Sequence, residues 1–210
     1  MFQHALVALG LSASLAAASD DPPSRIWGFD DSATFRQEFE PAVGDWAVVP
    51  SQDGKGSALE QTAKNERPVF NVLLVKGPAA QDLDLSVRLQ SIAGEIDQGG
   101  GLVWRAKDAR NYYIARYNPL EDNLRLYHVV EGKRTQLDNV DIPRSPGWHT
   151  LRVRMSGDRI QVFYDDEQRI ERRDSTFSAP GRFGLWTKAD ARTQFDDLTL
   201  GTAAAEEVRP

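Results

Sequence analysis

A chain of 210 residues, 40% of them hydrophobic, is long enough to bury a substantial core, and one domain of sandwich or barrel size is the expectation. Its formal net charge is −6, and its basic residues are spread through alternating segments such as Val87-Arg88-Leu89 and Leu151-Arg152-Val153-Arg154. That pattern lacks the concentrated basic stripe a nucleic-acid partner requires. No cysteine is present, which excludes disulfides, thiolate metal sites and a thiol nucleophile.

Residues 5–18 carry no charge and end in Ala16-Ala17-Ala18, small residues suited to a cleavage site. Residues 1–18 therefore resemble a secretory signal peptide, too short and too rich in alanine for a stable membrane span, and predict an exported protein, periplasmic or extracellular. Residues 19–26 read as a polar, proline-containing lead-in, 27–200 as one domain, and 201–210 as a flexible polar tail.

Along the domain, Phe29, Phe35 and Phe39 punctuate the first segment, and Asp45 to Val49 is a short strand. Ser51-Gln52-Asp53-Gly54-Lys55-Gly56 has turn chemistry, Ser57 to Gln61 and Val69 to Val75 read as strands, and Leu83 to Leu89 alternates apolar and polar. Gly99 to Ala106 and Asn111 to Tyr117 form the central hairpin, with Leu102, Trp104 and Ala106 expected on one face and Val103 and Arg105 on the other. Asn123 to Val130 alternates again, Trp148 to Met155 pairs with Arg159 to Tyr164 across Ser156-Gly157-Asp158, and Gly181 to Thr187 and Thr193 to Leu200 close the domain. No stretch keeps a long 3.6-residue apolar period. The pattern predicts an all-β, two-sheet antiparallel sandwich of the jelly-roll kind.

Gly99-Gly100-Gly101-Leu102-Val103-Trp104-Arg105, Asn111-Tyr112-Tyr113, Gly147-Trp148-His149-Thr150-Leu151-Arg152-Val153, Gly181 to Thr187 and Phe195-Asp196-Asp197-Leu198 occur in that order. Together they resemble the concanavalin A-like lectin/glucanase superfamily, and within it the bacterial exported domains grouped with 3-keto-disaccharide hydrolases, which are similar to laminin-G-like and family-16 glycoside hydrolase domains. The resemblance implies two curved sheets, a ligand on the concave face, a carbohydrate partner (an oligosaccharide or a modified disaccharide) and a structural calcium. Asp197 matches the calcium-binding position; no catalytic cofactor is implied.

Gly94-Glu95-Ile96-Asp97 is similar to the active strand of family-16 glucanases, but the third carboxylate is replaced by Gln98 and glycines. The segment therefore reads as a polar turn, and a family-16 mechanism is unsupported. If the domain is an enzyme, Glu95, Asp97, Asp108 and Asp190 are the carboxylates beside the expected ligand-face strands. The stronger candidates for holding a ligand are Arg105, Tyr113, Tyr117, Arg125, Tyr127, Arg154 and Trp186, because aromatic rings offer flat apolar surfaces to sugar C–H groups and guanidiniums donate to hydroxyls. Nothing in the sequence marks a Ser/His/Asp triad, and no His pair has zinc-ligand spacing. Three functions stay open: carbohydrate binding without catalysis, a glycoside hydrolase or lyase acting on a (3-keto-)disaccharide, and a laminin-G-like protein-interaction domain.

Overall fold

The computed structural model describes residues 25–77 and 79–201. The expected signal peptide, most of the lead-in and most of the tail lie outside them. In chain order the elements are β1 (Arg25–Trp27), α1 (Ser32–Glu38), β2 (Phe39–Val43), β3 (Trp46–Pro50), β4 (Ser57–Gln61), β5 (Phe70–Val75), β6 (Leu83–Ala93) and β7 (Gly100–Asp108). They continue with β8 (Asn111–Asn118), β9 (Asn123–Val130), β10 (Lys133–Asp141), β11 (His149–Ser156), β12 (Arg159–Tyr164), β13 (Glu167–Arg173), β14 (Arg182–Lys188) and β15 (Arg192–Gly201).

The strands form two antiparallel sheets. One runs β13-β12-β11-β6-β15-β4-β3 with β1 also on β15; the other runs β10-β9-β8-β7-β14-β5-β2. Neighbours distant in sequence, such as β6 with β15 and β7 with β14, give the jelly-roll connectivity that the strand pattern predicts. Leu83, Leu85, Val87 and Leu89 of β6 are all buried, one every second residue, facing Leu102, Trp104, Tyr113, Ala115 and Tyr117 of the other sheet. Trp104 stacks on Tyr113 with ring centroids 5.5 Å apart, filling the space between the sheets.

Two local features depart from the sequence reading. The Phe-punctuated segment contains a seven-residue helix, capped by Asp31, whose carboxylate accepts from the Ala33 and Thr34 amides. It is short enough to be held by Phe35 packing on Phe39 rather than by its own propensity. Arg105 has φ +46, and the β7 register shifts on both sides of it. This bulge reverses the alternation, so Ala106 packs with Val103 instead of joining Leu102 and Trp104.

Candidate functional site

The outer face of the seven-stranded sheet carries a second cluster of side chains, separate from the inter-sheet core: Val72, Leu74, Val103, Tyr112, Ile114, Val129 and Trp186. Register sets the layout. Trp186 on β14 lies opposite Gly101 on β7, Gly101 opposite Arg116 on β8, Arg116 opposite Arg125 on β9, and Arg125 opposite Asn139 on β10. A neighbouring row runs Val103, Ile114, Tyr127, and the next runs Tyr112, Val129, Arg134. Gly101 separates the Trp186 and Arg116 side chains, and a Cβ there would fall 2.1 Å from the Ala115 carbonyl oxygen.

Arg134 starts on β10, yet its guanidinium lies 4.3 Å from the Tyr127 ring centroid, 5.3 Å from that of Phe70 on β5 and 5.9 Å from that of Trp186. β10 and β5 are five strand steps apart, about 24 Å on a flat sheet. Contact between their side chains requires the sheet to curl, so this outer face is concave and Arg134 reaches across it.

The polar groups form a connected rim. Arg116 donates from Nη1 to Asn123 Oδ1 at 3.0 Å and from Nη2 to Glu121 Oε2 at 2.8 Å, and Arg125 Nη1 donates to the same Glu121 oxygen at 2.8 Å. Burial alone would push the Glu121 carboxyl up, but Arg116 and Arg125 outweigh it and hold it below the usual carboxylate range. Asp97 is buried; its Oδ1 accepts from the Gly99 amide and from Asn118 Nδ2, and its Oδ2 lies 3.6 Å from Lys188 Nζ. Burial lowers the pKa of the Arg134 guanidinium, while the fields of Tyr127, Asp97 and Glu121 raise it, which ties Arg134 electrically to both carboxylates. Amid this network Arg116 Nε and Arg134 Nη1 are buried without a hydrogen-bond partner, and Tyr112 OH and Trp186 Nε1 have no polar neighbour but each other. Two unused guanidinium donors thus share one aromatic-lined face with the Tyr112 hydroxyl and the Trp186 indole N–H. Each costs free energy unless a ligand or solvent oxygen meets it.

Of the residues singled out in the sequence, Arg125, Tyr127, Trp186 and Asp97 lie on this face. Arg105 does not. Its side chain is 1% exposed and donates to the Gln81, Phe177 and Gly157 carbonyls at 2.8, 2.6 and 2.7 Å, because the bulge turns it away from the Val103 face. Tyr113 faces the inter-sheet core and its hydroxyl donates to Asp174 Oδ1 at 2.6 Å. Tyr117 also points inward, against Tyr164 and His149. Arg154 belongs to β11 in the other sheet, where its Nε donates to Asp84.

The remaining carboxylates serve turns and loops. Asp108 accepts from the Arg110 amide and Asn111 side chain in the β7–β8 turn. Asp190 accepts from the backbone amides of Glu95, Ile96 and Asp97; burial opposes its charge, but these three donors outweigh it and lower its pKa. Glu95 sits exposed on that braced loop. The Asp197 carboxylate accepts from Arg88 Nη1 at 3.1 Å, and no three His, Asp or Glu side chains among the described residues converge to ligate a metal, so a calcium at Asp197 would draw most of its oxygens from backbone carbonyls. Arg116, Arg134, Tyr112, Phe70, Glu121 and Lys188 are the members of the face that the sequence reading missed.

No protein-family model matches the sequence. The levanase of Bacillus subtilis (strain 168) is 31% identical over 184 residues, which cover 85% of this chain and 25% of the levanase. The chain thus spans about a quarter of the length of the curated relative it matches. Among solved structures, the carbohydrate-binding module CBM66 from Bacillus subtilis superposes with a TM-score of 0.68 at 23% identity, over 79% of this chain and 96% of the module. A Bacillus subtilis protein with a galectin-like fold gives 0.64 at 8% identity (89% and 99% covered), and a Bacillus licheniformis beta-glucanase 0.59 at 10% identity (86% and 98% covered). With the two-sheet topology, these likenesses identify the fold as the concanavalin A-like jelly-roll sandwich that the ordered motifs resemble.

Proposed function

We propose that this domain is a carbohydrate-binding module that holds its ligand on the concave outer face of the seven-stranded sheet. The observation that carries the reading is the pair of buried, unpartnered guanidinium donors on Arg116 and Arg134, set beside the Tyr112 hydroxyl and the Trp186 indole N–H among aromatic rings. A sugar supplies what such a face lacks: hydroxyl oxygens to accept from the guanidiniums, the indole N–H and the phenol, and C–H surfaces to pack on the rings. The likenesses to a carbohydrate-binding module and to a levanase support the same ligand class, and levan, named by the latter, is the first polysaccharide to test.

The carboxylates favour binding over turnover. Glycoside hydrolysis needs a general acid whose pKa is raised, whereas two arginines hold Glu121 low and Asp97 is bound by an amide, an Asn and a Lys. The uncharged N-terminal run supports an exported location, and no helix among the described residues is long and apolar enough to cross a membrane. Affinity electrophoresis of the whole chain through gels containing levan, β-glucan or xylan tests the proposal. Retardation by at least one polysaccharide, lost in Arg134→Ala and without release of reducing sugar, is the expected result; equal mobility in every gel overturns it.

A further inference from the structure

A cavity of about 150 Å³ lies at one end of the sandwich, on the far side of β8 from the concave face. Gln90 and Ser91 from the end of β6, Gln98 from the loop before β7, Tyr117 from β8, and Ser145 and His149 from the approach to β11 line it. Its wall is built and rigid. His149 Nδ1 lies 2.8 Å from Asp165 Oδ2, its Nε2 lies 3.0 Å from Ser145 Oγ, and its ring stacks on Tyr164 with centroids 5.1 Å apart. Those three residues have the connectivity of a hydrolytic triad, but Nε2 also sits 3.3 Å from Ser145's own carbonyl oxygen. The chain therefore braces the 145–149 loop against the β12–β13 turn.

The polar inventory of this end is unbalanced. Gln90 Oε1 and Ser91 Oγ are buried without a hydrogen-bond partner, and the Tyr117 hydroxyl, on a residue 1% exposed, has the Tyr164 hydroxyl as its polar neighbour. Of the groups that line the cavity, Tyr117 and Ser91 supply donors and the Gln90 amide oxygen is a pure acceptor, so the set offers both halves of a hydroxyl's hydrogen bonding. A cavity of this volume is known to take up a ligand the size of benzene, so this one has room for about six non-hydrogen atoms, the size of glycerol or of one edge of a sugar ring. No acidic side chain lines it, so nothing in the wall selects for a cation.

We infer that this cavity is a second binding site, for a small polyol of glycerol size or the hydroxyl-bearing edge of a sugar ring, with Ser91, Tyr117 and Gln90 as its hydrogen-bonding residues and Arg144 at its wall. It shares no lining residue with the concave face, and either site stands if the other fails. The test is an amide NMR titration of the whole chain with D-glucose, D-fructose and glycerol. At least one probe should produce saturable shifts at Ser91, Gln98 and Gly147, weakened tenfold or more in Tyr117→Phe and in Ser91→Ala and retained in Arg134→Ala. Tyr117→Phe removes one hydroxyl whose protein neighbour is the Tyr164 hydroxyl, so it should cost no more than the roughly 1 kcal/mol of one hydrogen bond, which keeps the variant folded and interpretable. The proposal is overturned if no probe shifts those amides, or if the shifts persist undiminished in both cavity variants.

Discussion

The guanidinium of Arg134 lies 4.3 Å from the centre of the Tyr127 ring and also reaches Trp186, joining opposite strands of one curled sheet. This contact organises the concave face more than any other. Arg134→Ala should weaken polysaccharide retention at least tenfold, about 1.4 kcal/mol. It should cost only about 0.5–2 kcal/mol of stability, the range for a cation–π contact, by denaturant melt. Arg134→Lys keeps the charge but loses the planar fork and should recover only part of the binding.

Trp186 presents a different balance, because its ring is fully buried against Phe70, with centroids 5.5 Å apart. Trp186→Ala should cost about 3–5 kcal/mol of stability, so lost binding in that variant would reflect unfolding as much as recognition. Trp186→Phe keeps an aromatic ring and removes the indole N–H, whose polar neighbour is the Tyr112 hydroxyl; it should reduce affinity with a far smaller change in melting temperature.

Arg105 should prove structural. Three backbone carbonyls and Asp82 accept from its guanidinium; Arg105→Ala strands the buried Phe177 carbonyl and leaves the more exposed acceptors to water. A loss of about 1–3 kcal/mol is expected, measurable by urea denaturation. An Arg105→Ala protein that melts like the parent but no longer retains polysaccharide would return this residue to a ligand-binding role.

Acid should loosen the Glu95–Asp97 loop. The Asp190 carboxyl is lowered in the folded state because its three backbone donors outweigh burial, so its stabilisation is fully present above the unfolded value, about 3.9, and is lost as pH falls through the lower folded value. Asp84 behaves alike: burial opposes its charge, and Arg152 and Arg154 outweigh it. Melting temperature should be flat near neutrality and fall below about pH 4. Asp190→Asn should lower the plateau and shrink that fall.

Gly101 should tolerate no side chain. A Cβ would meet the Ala115 carbonyl oxygen at 2.1 Å and the Arg116 Cα at 2.8 Å, so Gly101→Ala must push β7 from β8. Overpacking of this kind costs typically about 1–3 kcal/mol and would also move Arg116 relative to Trp186, lowering both stability and retention.

Much of this architecture was legible in the sequence. Leu83 to Leu89 alternates as a half-buried strand and is buried at the expected positions, and the β11–β12 hairpin turns at Ser156-Gly157-Asp158. The site was only half legible, for two physical reasons. In β8, Tyr112-Ile114-Arg116 and Tyr113-Ala115-Tyr117 are equally plausible faces, and choosing Tyr113 and Tyr117 selected the core. Pairing resolves the choice: Arg116 lies opposite Arg125 and Ile114 opposite Tyr127, so the face that holds Arg125 and Tyr127 must hold Tyr112 and Arg116. The bulge at Arg105 was the second obstacle, because one inserted residue reverses parity without a glycine or proline to announce it. Arg134 was hidden by sheet curvature, which a strand pattern does not encode.

The most direct test of carbohydrate recognition on the concave face is the indole N–H signal of Trp186, one of five tryptophans in the chain, followed by NMR as levan oligosaccharides are added. The account predicts a saturable shift of that resonance, with the Tyr112 and Arg116 amides moving in step and the Trp104 indole, buried in the inter-sheet core, staying still. Saturable binding that leaves Trp186, Tyr112 and Arg116 unmoved would contradict it and place recognition elsewhere on the molecule.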